Sequence, residues 1–231
     1  MTMAIEGRGD LADIDTDGDK PIGPRSRKGA HTRARIVVAA KSVFEEHGFL
    51  DARIADIAER AELSHGAFYH YFDSKEAVFL EVAEAQEARF GRDSILQVGF
   101  DGFERDDVAE LVESGIRSFM EEYRAEARIM AVIEQVSRHH EPVKGLRLAR
   151  YRGYLELTEQ ALGELHRRGW IDAALDPGIT AAAMVATVTR MAELWFVQSS
   201  LECDFDTGVE QLTRVCLNVL RFEPSGSAGA P

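Results

Sequence analysis

From residue 64 to residue 76 the chain reads Ser64-His65-Gly66-Ala67-Phe68-Tyr69-His70-Tyr71-Phe72-Asp73-Ser74-Lys75-Glu76. Neutral imidazole can donate or accept one hydrogen bond, a phenol can do both, and lysine carries a fixed positive charge. At helical spacing Phe68, Tyr71 and Phe72 share one dry face, while His65, Ala67, Tyr69 and His70 fall on the other. These groups recognise rather than make bonds. A short helix with one face in a core and a polar-aromatic face left over suits insertion into a groove of DNA.

Such a helix needs bracing. Ile36, Ala40, Val43 and Phe44 repeat at i, i+4, i+7, i+8 and predict a first helix over about 32–47, stopped at Gly48. Ile54, Ile57, Ala58 and Ala61 predict a second, short helix over about 53–60. Ser64 is placed to cap the third. Asp73 with Glu76 reads as an acidic capping box opening a fourth helix that runs into the nineties. Two short helices joined by a tight turn and buttressed by a longer one make a helix-turn-helix.

Gly48-Phe49, Ile54-x-Asp56-Ile57-Ala58-x-x-Ala61 and Ser64-x-Gly66-x-Phe68-Tyr69-His70-Tyr71-Phe72-x-Ser74-Lys75-Glu76 together resemble the DNA-binding domain of TetR-type transcriptional regulators. The match covers about residues 32–80, and beyond it only the architecture corresponds. The resemblance implies that Tyr69, His70 and Lys75 contact phosphates and that His65, Gly66 and Ala67 face bases, with Ser64 among the DNA-facing residues. Two positions depart from the family pattern. Ala52 stands where Thr or Ser is usual, and Arg53 beside it can supply a phosphate contact of another kind. Glu62 replaces the usual turn glycine, so the turn needs another geometry or carries strain.

Charge distribution agrees with a DNA-facing module on an acidic body. The 231 residues carry a net charge of −13, divided as −4 over residues 1–24, +2 over 25–75 and −11 over 76–231. A local basic surface can therefore meet phosphate while the rest repels nucleic acid. Residues 1–24 lack apolar periodicity and read as a disordered tail, followed by a basic arm at Arg25 to Lys28. Residues 25–75 are the helix-turn-helix domain, 76–223 a helical ligand-binding and dimerisation domain, and 224–231 a loose tail. No secretory signal or apolar run of membrane-spanning length is visible, so a cytoplasmic location is expected.

The fold class expected is all-α throughout. Helices are predicted over about 104–123, 126–139, 143–168, 177–201 and 207–222, with Asp176-Pro177 opening one and a Thr207/Glu210 capping box opening the last. The stretch Thr180 to Thr189 is nearly free of charge, which suits a helix buried on both sides. The resemblance implies a homodimer through the two C-terminal helices, and a palindromic double-stranded operator follows from two heads. It also implies a cavity for a small-molecule effector. Candidate lining residues are Phe119, Tyr123, Met130, Tyr151, Tyr154, Met191 and Trp195, and the lack of a decisive polar cluster favours a largely apolar ligand. No cofactor, metal site or catalytic residue is expected. His139 and His140 are adjacent on a helix and diverge by about 100°, too far to share a metal. The expected function is a ligand-released repressor; the alternative is a regulator without an inducer, or an activator.

Overall fold

A computed structural model describes residues 27–90 and 103–222. The tails expected at 1–24 and 224–231 lie outside the described residues. Among the described residues no strand occurs, and the helices are α1 (Arg27–Asp51), α2 (Ile54–Arg60), α3 (His65–Phe68), α4 (Lys75–Arg89), α5 (Val108–Ala125), α6 (Ala127–Ser137), α7 (Glu141–Arg167), α8 (Pro177–Ala192) and α9 (Phe205–Leu220). A 3₁₀ turn (Arg105–Asp107) leads into α5, and a π-helical turn (Glu193–Val197) ends α8.

The helix boundaries follow local chemistry. Gly48 sits at φ 71° and breaks the helical path of α1 where the sequence predicts a stop. The Ser64 side chain accepts from Ala67 N, and the Asp176 side chain accepts from Ile179 N. Two expected caps are displaced by one competent neighbour each. Helix α4 is capped by Ser74, whose extended backbone lets Oγ accept from Ala77 N at 3.1 Å, rather than by Asp73. Helix α9 is capped by Asp204, which takes both the backbone N and the hydroxyl of Thr207, so Thr207 is a partner and not the cap. Helix α7 begins earlier than predicted because the His140 ring accepts from Val143 N.

The α2–α3 turn resolves the missing glycine. Glu62 N bonds Glu59 O and Leu63 N bonds Ala58 O, the paired bonds of a Schellman end, with Glu62 in the left-handed region at φ 55°. A left-handed L-residue costs about 1–2 kcal/mol, partly offset by the entropy that glycine loses on folding. Glu62→Gly should therefore stabilise the protein by about 1 kcal/mol, read as a rise of about 2–4 °C in Tm. A fall in Tm would show that the side chain is needed at the turn.

One buried cluster runs without interruption from Ile36 in α1 to Cys216 in α9, so head and body share a core. In the head, Phe79 meets Phe44 and Phe49 edge-on with ring centroids 5.0 Å away in each case. Helix α4 bridges α1 to α7, while α7 packs on α8 and α5 on α9. The approach of α9 to the π-helical turn depends on Gly208, because a Cβ there would sit 2.1 Å from the Trp195 ring. Trp195 in turn stacks on Phe196 at 4.8 Å and is 9% exposed. Among the described residues no helix is long and apolar enough to cross a membrane.

Candidate functional site

The head presents the side chains that the sequence singles out, with one exception. Ser64, His65, Gly66, Tyr69, His70 and Arg53 are exposed, and Ala67 is half-buried. Phe68 and Phe72 are buried and hold α3 against α1 and α2, while Tyr71 packs at the edge of the same core. The His65 and Tyr69 rings lie 5.3 Å apart and nearly perpendicular, so the tyrosine buttresses the histidine on the outer face. Ser64 Oγ uses one of its two lone pairs on the cap, which leaves its hydroxyl proton able to donate to another group.

Lys75 is the exception. Its ammonium bonds the carbonyls of Phe49, Leu50 and Ala52 at 2.7, 3.1 and 3.0 Å and lies 4.7 Å from the Phe49 ring centroid. All three N–H donors are spent on carbonyls inside the head. This lysine ties the start of α4 to the end of α1. Most other cations of the head are also engaged. Arg33 bonds Tyr71 O and pairs with Glu81, and Arg35 bonds Ala61 O. Lys41 pairs with Glu45 and Glu126, and Arg60 with Ser42 and Glu46. Among the described residues Arg27, Lys28 and Arg53 present exposed, uncommitted charges.

The body holds a half-open cleft of about 410 Å³ between α5, α7, α8 and α9. Its walls are mostly aliphatic, and Phe119 and Tyr154 are among the residues around it. Tyr123, Met130, Tyr151, Met191 and Trp195 do not line it. Tyr123, Met130 and Trp195 are core, with exposures of 7, 2 and 9%, while Tyr151 and Met191 are partly buried outside it. Residues that sequence reasoning missed include Val185, Thr158, Leu162 and Cys216. Burial pushes the Cys216 thiol up to about 11, so it lines the wall as an inert, uncharged group. The Tyr154 hydroxyl is buried without a hydrogen-bond partner, and burial pushes its pKa up to about 12. It therefore remains a protonated donor facing no acceptor.

A charged pair joins this wall to α4. One turn before Tyr154, Arg150 Nε lies 3.0 Å from Glu87 Oε2. The atoms are close, but no hydrogen bond forms between them, and Arg150 Nη1 donates instead to Met130 Sδ. Burial pushes the Glu87 carboxyl upward, more than Arg150 and Arg147 pull it down. A second network, Lys41–Glu126–Arg89, ties α1 and α4 to the α5–α6 junction. No group of three His, Cys, Asp or Glu able to hold a metal occurs among the described residues.

Comparison with known proteins places this geometry in context. Residues 36–82 match the family model described as bacterial regulatory proteins, tetR family. The chain is 25% identical over 186 residues to the HTH-type transcriptional regulator UidR of Escherichia coli, covering 78% of this chain and 90% of that protein. It is 42% identical over 55 residues to the HTH-type transcriptional regulator YdgC of Bacillus subtilis, 24% of this chain and 28% of that one. The fatty acid degradation regulator FadR from Bacillus halodurans shares the fold, with a TM-score of 0.65 at 22% identity over 83% of this chain and 97% of that chain.

Proposed function

The chain belongs to the TetR family of bacterial regulatory proteins and carries that family's helix-turn-helix head, and on that premise we propose that it is a ligand-released repressor. Two copies pair through α8 and α9, occupy a palindromic operator in the cytoplasm, and let go when a small, largely apolar molecule enters the body cleft. Support for pairing comes from Ile179, Val215 and Val219, which are 74, 49 and 45% exposed on those helices. Large aliphatic side chains on one exposed face are a common mark of a protein interface.

The observation that carries the release mechanism is the run of α4. It starts at the Lys75 staple in the head and reaches Arg150 of α7 through Glu87, one turn from the unpartnered Tyr154 hydroxyl in the cleft. A ligand that shifts α7 therefore acts on the helix that aims the head. Only differential binding to the two poses moves the equilibrium, so the ligand must fit the released pose better.

In this reading the base contacts are His65, Gly66 and Ala67, with Tyr69, His70 and Ser64 at the backbone and Arg53 on phosphate. The three uncommitted cations per head among the described residues give a paired protein about six phosphate neutralisations, hence a slope of log K against log salt of about −5. Arg53→Ala should weaken all sequences alike and flatten that slope by about 2, one per head. His65→Ala should keep the slope and lose discrimination among operator variants, by about 1–3 kcal/mol at the contacted base. Binding titrations on inverted-repeat DNA at several salt concentrations check both. Failure to bind any such DNA at low salt would overturn the reading.

A further inference from the structure

The head meets the body at a second place besides α4. Helix α1 packs along α6 as well as along α4, and at the α5–α6 corner the carboxylate of Glu126 lies between two cations. Lys41 of α1 pairs with Glu126 Oε2 at 2.8 Å without a formed hydrogen bond. Arg89, in the last turn of α4, donates to Glu126 Oε1 at 3.1 Å. The Glu126 side chain is 10% exposed, so one buried carboxylate receives a cation from the head and a cation from the far end of α4. Glu126 ends α5 and starts α6: its N–H bonds Glu122 O and Tyr123 O, and its own carbonyl accepts from Met130 N. At such an N-cap position a short polar side chain accepts from the first turn of the helix. The longer glutamate makes no such bond, and its carboxylate reaches out to Lys41 and Arg89 instead. Burial lowers the pKa of the Lys41 ammonium, and Glu126 and Glu45 raise it by more, so the cation persists.

The orientation of α3 follows α1. Phe68 and Phe72 pack α3 into the core that α1 shares, and Arg33, two turns before Lys41, bonds Tyr71 O. A swing of the head relative to the body must therefore part Lys41 from Glu126. We propose that Glu126 is a positioning residue for DNA reading, a latch that fixes α1, and with it α3, against the body and so sets the separation of the two reading helices in the pair. The inference rests on the proposed operator binding by a paired protein. Breaking the latch leaves each head intact and widens the range of its poses. A single half-site asks for one head, whereas an inverted repeat asks for both at a fixed distance. Moving the half-sites by one base pair shifts one head by about 3.4 Å and about a tenth of a turn. A pose held only part of the time lowers affinity by that fraction. The latch is thus read in spacing discrimination and not in half-site affinity.

The full chain and its variants are titrated on the best-bound inverted repeat, on the same repeat with its half-sites moved by one base pair, and on a single half-site. The parent should lose about tenfold on the change of spacing, and Glu126→Gln and Lys41→Met less than about threefold. Half-site affinity should change by less than about twofold in every variant, with the salt slope unchanged. Arg89→Met gives an intermediate loss; its side chain is 61% exposed, so this variant keeps the test open if the buried ones fail to fold. Lys41→Arg keeps the pair and should keep the discrimination. Glu126→Asp retains the charge and can cap α6, but it falls a methylene short of both cations and should resemble Glu126→Gln. Spacing discrimination unchanged in Glu126→Gln, Lys41→Met and Arg89→Met would overturn the latch. So would half-site affinity falling in step with operator affinity, which marks damage to the head itself. A parent-like Glu126→Asp would overturn it too, because charge at the corner would then suffice without the bridge. No DNA binding by the parent, or binding indifferent to spacing, would overturn the paired operator reading on which the latch rests.

Discussion

Replacing Lys75 by methionine should destabilise the protein by about 2–3 kcal/mol and weaken binding to every DNA sequence in proportion. The aliphatic stem is retained, so the loss isolates the ammonium. That group satisfies three carbonyls, Phe49, Leu50 and Ala52, just past the point where Gly48 ends the helical path of α1. Hydrogen bonds to a charged donor are worth about 1.5–3 kcal/mol, and of the carbonyls left behind those of Phe49 and Ala52 are partly buried while that of Leu50 is exposed. The Phe49 ring beneath the ammonium adds a smaller attraction. A phosphate-binding lysine would behave differently: its loss would leave urea unfolding unchanged and flatten the salt dependence of DNA binding. Urea unfolding of Lys75→Met alongside a salt titration therefore decides between the two roles. Unchanged unfolding with a flatter slope would restore Lys75 to the DNA surface.

The same residue shows what can and cannot be read from sequence. The α1–α3 head is legible because its signals are local. Helical spacing sorts Phe68 and Phe72 inward and His65 and His70 outward, and a single Ser64 caps α3. The partners of Lys75 lie more than twenty residues earlier, and a backbone carbonyl leaves no mark in the sequence. Cap assignments fail where two competent residues stand close together, as with Asp73 beside Ser74 and with Asp204 before Thr207; backbone angles choose between them, and side-chain type does not. In the body, periodicity separates apolar faces from polar ones but cannot say whether an apolar face meets other side chains or space. Met130 and Trp195 are as apolar as Phe119, yet they are packed while Phe119 lines the cleft. For Trp195 the deciding neighbour is Gly208, whose missing side chain is what admits the indole.

Arg150→Met should cost about 3–5 kcal/mol near pH 8, more than the loss of the Lys75 ammonium, because it strands Glu87 in the α4–α7 interface. The carboxylate side chain is 7% exposed and that of its partner 14%. Burial already pushes the Glu87 carboxyl above the usual carboxylate range with both arginines present, so removing Arg150 raises it further. The sign then follows. A raised folded-state pKa means the folded protein binds more protons than the unfolded chain between the ordinary carboxylate value and the raised one. The stabilisation is complete below the ordinary value and is lost as pH rises through the raised one. The variant should therefore recover part of its deficit on going from about pH 8 to about pH 5.5, with a steeper pH dependence than the parent protein. Glu87→Gln/Arg150→Met removes the titrating group and should flatten that added dependence, returning most of the stability because two neutral side chains need no partner of opposite charge. Urea unfolding of the three proteins at both pH values tests this. A deficit in Arg150→Met that is equal at the two pH values would mean that the arginine holds α7 by packing on Phe90 and Tyr154 and not by charge. In either variant α4 loses its charged link to the cleft wall. If that link transmits ligand binding, the double variant should bind operator DNA and ligand while responding to the ligand with a smaller loss of DNA affinity than the parent.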